Sequence, residues 1–197
     1  VSIRLFLVDL PSEQSVFLRY TIGALMLLPL IGRSVGRVIT SPVRGLMAVR
    51  ALLHGLGFYS WFFGVLRIPL AEVNAMLNLG PVYATLGAVL FMGETLRIRR
   101  IAAILVSFVG ALIIIKPGFA EINLGTIAVL IAAPMFAGSD LIAKRLKAFE
   151  NDRTIIFSLS AGIAAFMMVP AIGVWQPISA TNWIGIMAIS VAATLGH

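Results

Sequence analysis

The chain has no cysteine, which excludes disulfide bonds, thiol nucleophiles and thiolate metal ligands. Charge is scarce as well. Only 12% of its 197 residues are Asp, Glu, Lys or Arg, against about a quarter in an ordinary soluble domain. Acids are scarcer still, eight against fifteen Lys and Arg. The opening residues lack the layout of a signal peptide. No HExxH occurs, and no cluster of acids or histidines has metal-ligand spacing, so no metal and no cofactor is expected.

What is abundant is apolar surface. Sixty per cent of the residues are hydrophobic, too many for one buried core, so most helices must face lipid. The net charge of +7 would fit a nucleic-acid partner only if the cations shared one face. Instead they fall in short clusters between apolar runs, the pattern of loops flanking membrane spans. No nucleic acid is expected; the lipid bilayer is the expected partner.

The most informative run extends from Leu70 to Gly118. After Glu72 it passes about twenty residues without a charge, enough to cross a bilayer core as a helix. It breaks at Gly93-Glu94-Thr95, passes Arg97, Arg99 and Arg100, and becomes apolar again up to Ile115. This predicts a transmembrane hairpin with a basic turn. Further spans are expected at 16–31, 46–66, 123–143 and 154–175, with the end of one helix at 1–10 and an unfinished one from 184 onward. The stretch 32–50 reads as a basic loop, and Trp175 and Trp183 as interfacial anchors. Lys116-Pro117-Gly118 closes the hairpin's second leg. Starting on Val1 and stopping in an apolar run at His197, the chain is expected to be a fragment cut at both ends.

Counting loops alternately puts Arg33, Arg37, Arg44, Arg50, Arg97, Arg99, Arg100, Lys144, Arg145, Lys147 and Arg153 on one side. Arg4, Arg19, Arg67 and Lys116 fall on the other, with Asp9, Glu13, Glu72 and Glu121. The first side is the cytoplasmic one. The expectation is an all-α, multi-pass inner-membrane protein whose basic loops, and whose amino end when intact, are cytoplasmic.

Pro29-Leu30-Ile31-Gly32 recurs as Pro170-Ala171-Ile172-Gly173, and Arg4-Leu5 as Arg145-Leu146 at the same offset. Five spans separate the copies, an odd number, so they would be inserted in opposite orientations. Inverted repeats around a midplane site are an architecture of secondary transporters.

Phe17-Leu18-Arg19-Tyr20, Pro69-Leu70-Ala71-Glu72, Leu79-Gly80-Pro81-Val82-Tyr83, Gly93-Glu94-Thr95 and Gly110-Ala111-Leu112-Ile113-Ile114 with Lys116-Pro117-Gly118 follow one another in this order, and in them the chain resembles the EamA-type branch of the drug/metabolite transporter superfamily. The resemblance implies ten helices in two inverted five-helix repeats that move small metabolites by alternating access. It divides this chain into a first repeat at 1–118 and a truncated second one at 122–197. Arg50-Ala51-Leu52-Leu53-His54-Gly55 and Thr194-Leu195-Gly196-His197 lean toward the branch labelled S-adenosylmethionine uptake transporters.

Asn74 and Asn78 are four residues apart and Pro81 is seven from Asn74, so the three share a helix face. That face would line a substrate cavity or, alternatively, bond a neighbouring helix. Tyr59 and Trp61 would stack on a planar or cationic substrate, or simply pack. His54, placed about a turn inside the cytoplasmic interface, would relay protons or bond to headgroups. Asp140 would bind a cation or proton, against the plainer alternative of an ion pair with Lys144. Glu94, Arg97 and Arg99 would form a cytoplasmic gate or a solvated rim. Arg19 would greet an anionic substrate from outside or, as the plainer and preferred alternative, snorkel to the interface. The function expected is transport of a small organic metabolite or drug, without catalysis; an intramembrane enzyme or a non-transporting scaffold are the rivals. Oligomeric state stays open, a homodimer among the options.

Overall fold

In a computed structural model of the chain, residues 10–32, 35–95, 98–115 and 123–195 are described. Among them every long element is an α-helix and no strand occurs. In chain order these are α1 (Ser12–Ile31), α2 (Val35–Thr40), α3 (Arg44–Val65), α4 (Leu70–Leu77), α5 (Gly80–Met92), α6 (Ile98–Ile115), α7 (Leu124–Leu146), α8 (Asp152–Gly173) and α9 (Ala180–Leu195). Among the described residues five segments are long and apolar enough to cross a membrane: α1, α3, α4 continued by α5, α7 and α8. Twenty residues of helix measure about 30 Å, the thickness of the hydrocarbon core. The chain is a multi-pass membrane protein.

Local chemistry explains where the helices begin. Asn123 Oδ1 accepts from Thr126 N at 3.1 Å, Asn151 Oδ1 from Thr154 N at 2.8 Å, and Ser179 Oγ from Asn182 N at 3.1 Å. Each satisfies an amide that the first helical turn leaves unpaired. Pro11 and Pro69 precede α1 and α4, where a missing N–H costs nothing. At the hairpin turn Gly93 adopts φ 68°, and its amide bonds Ala88 O. A left-handed residue ending a helix is the usual place for glycine.

The helices group into two compact units, Val1–Gly55 with Ile142–His197, and Leu56–Leu141. In the first, α1 packs along α8 and carries α9 on another side. The α1–α8 pair is antiparallel. Gln14, near the start of α1, bonds Gln176 just past the end of α8, while Leu27 and Ile31 near the end of α1 cluster with Phe157 near the start of α8. Arg153 Nη1 also donates to Leu30 O at 3.3 Å. The Gln14 link is double: its Nε2 donates to Gln176 O at 2.9 Å and its Oε1 accepts from Gln176 N at 3.0 Å. The first half of α3 joins this unit through Arg50, whose Nη1 donates to Ile155 O at 2.9 Å, and through a cluster of Met47, Leu146 and Ile155. A Cβ on Gly162 would lie 2.6 Å from Ala51 Cβ. Lipid gives helices no hydrophobic reason to associate, so closeness of this kind supplies the dispersion that holds them.

In the second unit α3 crosses α7 where a Cβ on Gly64 would collide with Val129 and lie 2.9 Å from Gly125 O. Here α6 lies beside α4 and α5. It exposes Leu105, Val106, Phe108, Val109 and Ile113, a continuous apolar surface suited to lipid chains.

The structure departs from the sequence reading in several places. The stretch 32–50 is not all loop: α2 forms inside it and α3 starts at Arg44. Arg50, counted among loop cations, is buried, because its guanidinium reaches the α8 backbone. The span after Glu72 is interrupted at Asn78-Leu79. The expected helix end at 1–10, all but Leu10, and the closure at Lys116-Pro117-Gly118 lie outside the described residues. The packing units are a different kind of division from the repeats expected at 1–118 and 122–197 and do not bear on them. A repeat is defined by matching sequence and a compact unit by packing, so the two divisions need not coincide.

Candidate functional site

Two polar features stand inside the spans, one in each unit. The first is the break between α4 and α5. Pro81 has no N–H for the carbonyl of Leu77. The amides around it shorten their reach by one residue: Leu79 N bonds Met76 O at 3.1 Å and Val82 N bonds Leu79 O at 2.9 Å. Asn78 and Leu79 accordingly have ψ near zero, −10° and −9°, the tighter 3₁₀ geometry. Asn74, Asn78 and Pro81 are all exposed. Two carboxamides and a loosened backbone therefore face outward from this unit in the middle of a segment of membrane-spanning length.

Tyr59 and Trp61 are half-buried in the second half of α3. Trp61 packs edge-on to Phe58, ring centroids 5.1 Å apart. Its Nε1 is buried and has no acceptor among the described residues, so it holds a spare donor whose desolvation is not offset. At the hairpin turn Glu94 Oε2 lies 3.1 Å from Arg100 Nη1. Arg99 is exposed and Arg97 lies outside the described residues. Asp140 and Lys144 are both exposed, one turn apart on α7.

The second feature is a cavity of about 20 Å³ between α1, α8 and α9, room for one water-sized guest. Arg19, Tyr20, Gly23, Ser160, Ser190 and Thr194 supply its wall near the polar groups. The Arg19 guanidinium lies 4.1 Å above the Tyr20 ring centroid, within cation–π range. Ser190 Oγ, buried, donates to Arg19 O at 3.4 Å. On its other side Tyr20 meets His54 edge-on, centroids 6.3 Å apart. His54 lies about 15 Å along α3 from Arg44, near the middle of that helix.

Of the polar residues lining this cavity, only Arg19 was weighed from the sequence as a substrate contact, and there the interfacial reading was preferred. Arg19 looks like an interfacial cation when only its own helix is considered, since the hydroxyls beside it come from α8 and α9. One signal was available. The offset that carries Pro29 onto Pro170 carries Arg19 onto Ser160, and both line the cavity.

A model of the EamA-like transporter family matches residues 1–116. The chain is 29% identical to a riboflavin transporter of Brucella anthropi over 175 residues, which is 89% of this chain and 57% of the relative. It is 27% identical to a pseudopaline exporter of Pseudomonas aeruginosa over 193 residues, 95% of this chain and 66% of the relative. It is 26% identical to an S-adenosylmethionine uptake transporter of Rickettsia bellii, covering 82% of this chain and 55% of the relative. The chain thus spans between about half and two thirds of the length of these relatives.

Proposed function

The chain belongs to the EamA-like transporter family, and from that premise we propose that it is the larger part of a permease for a small organic metabolite, working by alternating access and without catalytic chemistry. The observation that carries this reading is the span broken at Asn78-Leu79 beside two exposed carboxamides. A discontinuous helix in a membrane costs unsatisfied backbone groups, and it is tolerated where those groups line a cavity. Asn74, Asn78 and the carbonyls freed by Pro81 offer donors and acceptors to a polar solute. Trp61 offers an unused N–H, and Tyr59 a flat ring. Asp140 and His54 are the groups we assign to proton or ion coupling, and Glu94 with its basic neighbours to a cytoplasmic gate.

The antiparallel α1–α8 pair supports alternating access. On the offset of the proposed internal repeat these two helices correspond, and an antiparallel pair of corresponding helices is what inverted repeats predict, which supports this reading. The clustering of cations in alternate loops supports an inner-membrane orientation with the basic loops cytoplasmic. The three relatives are named for riboflavin, pseudopaline and S-adenosylmethionine, which share polar, multi-functional character but no common shape. The test is saturable uptake by the parent protein in proteoliposomes, screened over flavins, nucleosides, amino acids and S-adenosylmethionine with and without a pH gradient. Uptake abolished in Asn74→Leu/Asn78→Leu, with folding intact, is the expected result. Unchanged uptake in that double variant would remove these residues from the site, and no uptake of any solute by folded protein would return the scaffold reading.

A further inference from the structure

The cavity between α1, α8 and α9 contains the ingredients of an anion site. Its wall holds one guanidinium, that of Arg19, with the hydroxyl-bearing Tyr20, Ser160, Ser190 and Thr194. Tyr20, Ser160 and Ser190 are buried. No acid is among the described residues that line it. A second cation, this one buried, stands behind the same wall: Arg50 is bonded to Ile155 O, next to Ile156, which lines the cavity. An arginine inside a membrane-spanning segment is costly, and such residues mark ligand or ion pathways far more often than lipid-facing surface. With the guanidinium held against the Tyr20 ring, its orientation is set before a guest arrives, which lowers the ordering cost of binding. Hydroxyls from separate helices can turn their protons toward a negative guest or their lone pairs toward a water. The nearby positive charge favours the first.

We propose that this cavity binds a small monovalent anion, either a chloride ion or the carboxylate of an organic solute, with Arg19 as the charge partner, Ser160 as a hydroxyl donor, and Ser190 as a second donor once its proton turns from the long 3.4 Å bond to Arg19 O. The carboxylate form rests on the transport reading above; the chloride form does not. In that form the bound ion adds a charge-assisted contact to the half-buried Arg19 and steadies the α1–α8 pair. In the carboxylate form the same contact reads the acidic end of the solute, and α8 and α9 would have to part slightly from α1 to admit it, since the cavity as it stands holds a single water-sized group.

The experiment measures the thermal unfolding midpoint of the purified protein in detergent against rising sodium chloride, and separately against sodium acetate and alanine. The wild type is compared with Arg19→Gln and Arg19→Lys, so that bulk salt effects common to all three cancel. A midpoint raised by about 2–5 °C in wild type, retained in part in Arg19→Lys and absent in Arg19→Gln, is the expected result; apparent affinity in Arg19→Gln falls by about tenfold or more. If Arg19→Gln does not fold, Ser160→Ala/Ser190→Ala replaces it, with a weaker response expected. A response to chloride alone identifies an ion site, and a response to the carboxylates that competes with uptake identifies a substrate contact. Equal curves in wild type and variants, or no anion response in folded wild type, would overturn the proposal. Uptake assayed in parallel keeps the two readings apart: an anion response without uptake removes transport and leaves the site, while uptake without an anion response does the reverse.

Discussion

Gln14 shows how one side chain can tie together segments far apart in the chain. It is fully buried, and both ends of its carboxamide are used on the backbone of Gln176. Replacing it with Leu strands an N–H and a carbonyl, and we expect a loss of about 2 kcal/mol, read as a lower unfolding midpoint in detergent. Trp61 is the opposite case, a buried N–H with no acceptor among the described residues. Trp61→Phe keeps most of the ring and removes the donor. The expected outcome is an unchanged or higher unfolding midpoint together with slower uptake; a fall in midpoint would show that the N–H has a structural partner. At this scale the sequence was uneven in what it disclosed. That Asn74 and Asn78 share a face follows from their spacing alone. That Arg19 lines a cavity, or that Arg50 is buried, depends on α8 and α9 arriving from more than a hundred residues away, and no local pattern records that.

Among the elements, the crossing of α3 and α7 depends on Gly64. Any side chain there would meet Val129 and the carbonyl of Gly125, so Gly64→Val should cost about 2–3 kcal/mol or prevent assembly. Gly110 is the control. A Cβ there would meet nothing within 4 Å, and Gly110→Ala should be neutral or stabilising by up to about 1 kcal/mol. Equal unfolding midpoints for the two variants would refute the crossing. Pro81→Ala tests the broken span: restoring the N–H returns a partner to Leu77 O, so stability should rise while uptake falls. The spans themselves were legible, because twenty apolar residues between charge clusters admit few other readings. The break was half legible. Pro81 announced a freed carbonyl, but the shift of both neighbouring amides to shorter bonds is a local relaxation that spacing does not show. Helix α2 was missed because six residues with two cationic neighbours in sequence carry no apolar periodicity.

At the scale of the molecule, the absence of cysteine becomes useful. Leu27→Cys with Phe157→Cys introduces the only two thiols of the chain at residues that share a cluster. A short bismaleimide should join them and shift gel mobility. Val16→Cys with Phe157→Cys should not be joined, because the helices are antiparallel. The reverse result would dismiss both the pairing and its use as support for inverted halves. The multi-pass architecture and the family were legible from composition and scattered motifs, which survive in an isolated chain. The grouping into Val1–Gly55 with Ile142–His197 and Leu56–Leu141 was not, since it reflects which surfaces touch. The broken span has one more consequence, and it is mechanical. Its two pieces are levers of unequal length, α4 with 8 residues and α5 with 13, or about 12 Å and 20 Å. A 10° bend at Asn78-Leu79 would sweep the far end of α4 through about 2 Å and that of α5 through about 3.4 Å. The longer arm ends at the turn that carries the Glu94–Arg100 ion pair, so a flexure inside the membrane would be amplified at that rim.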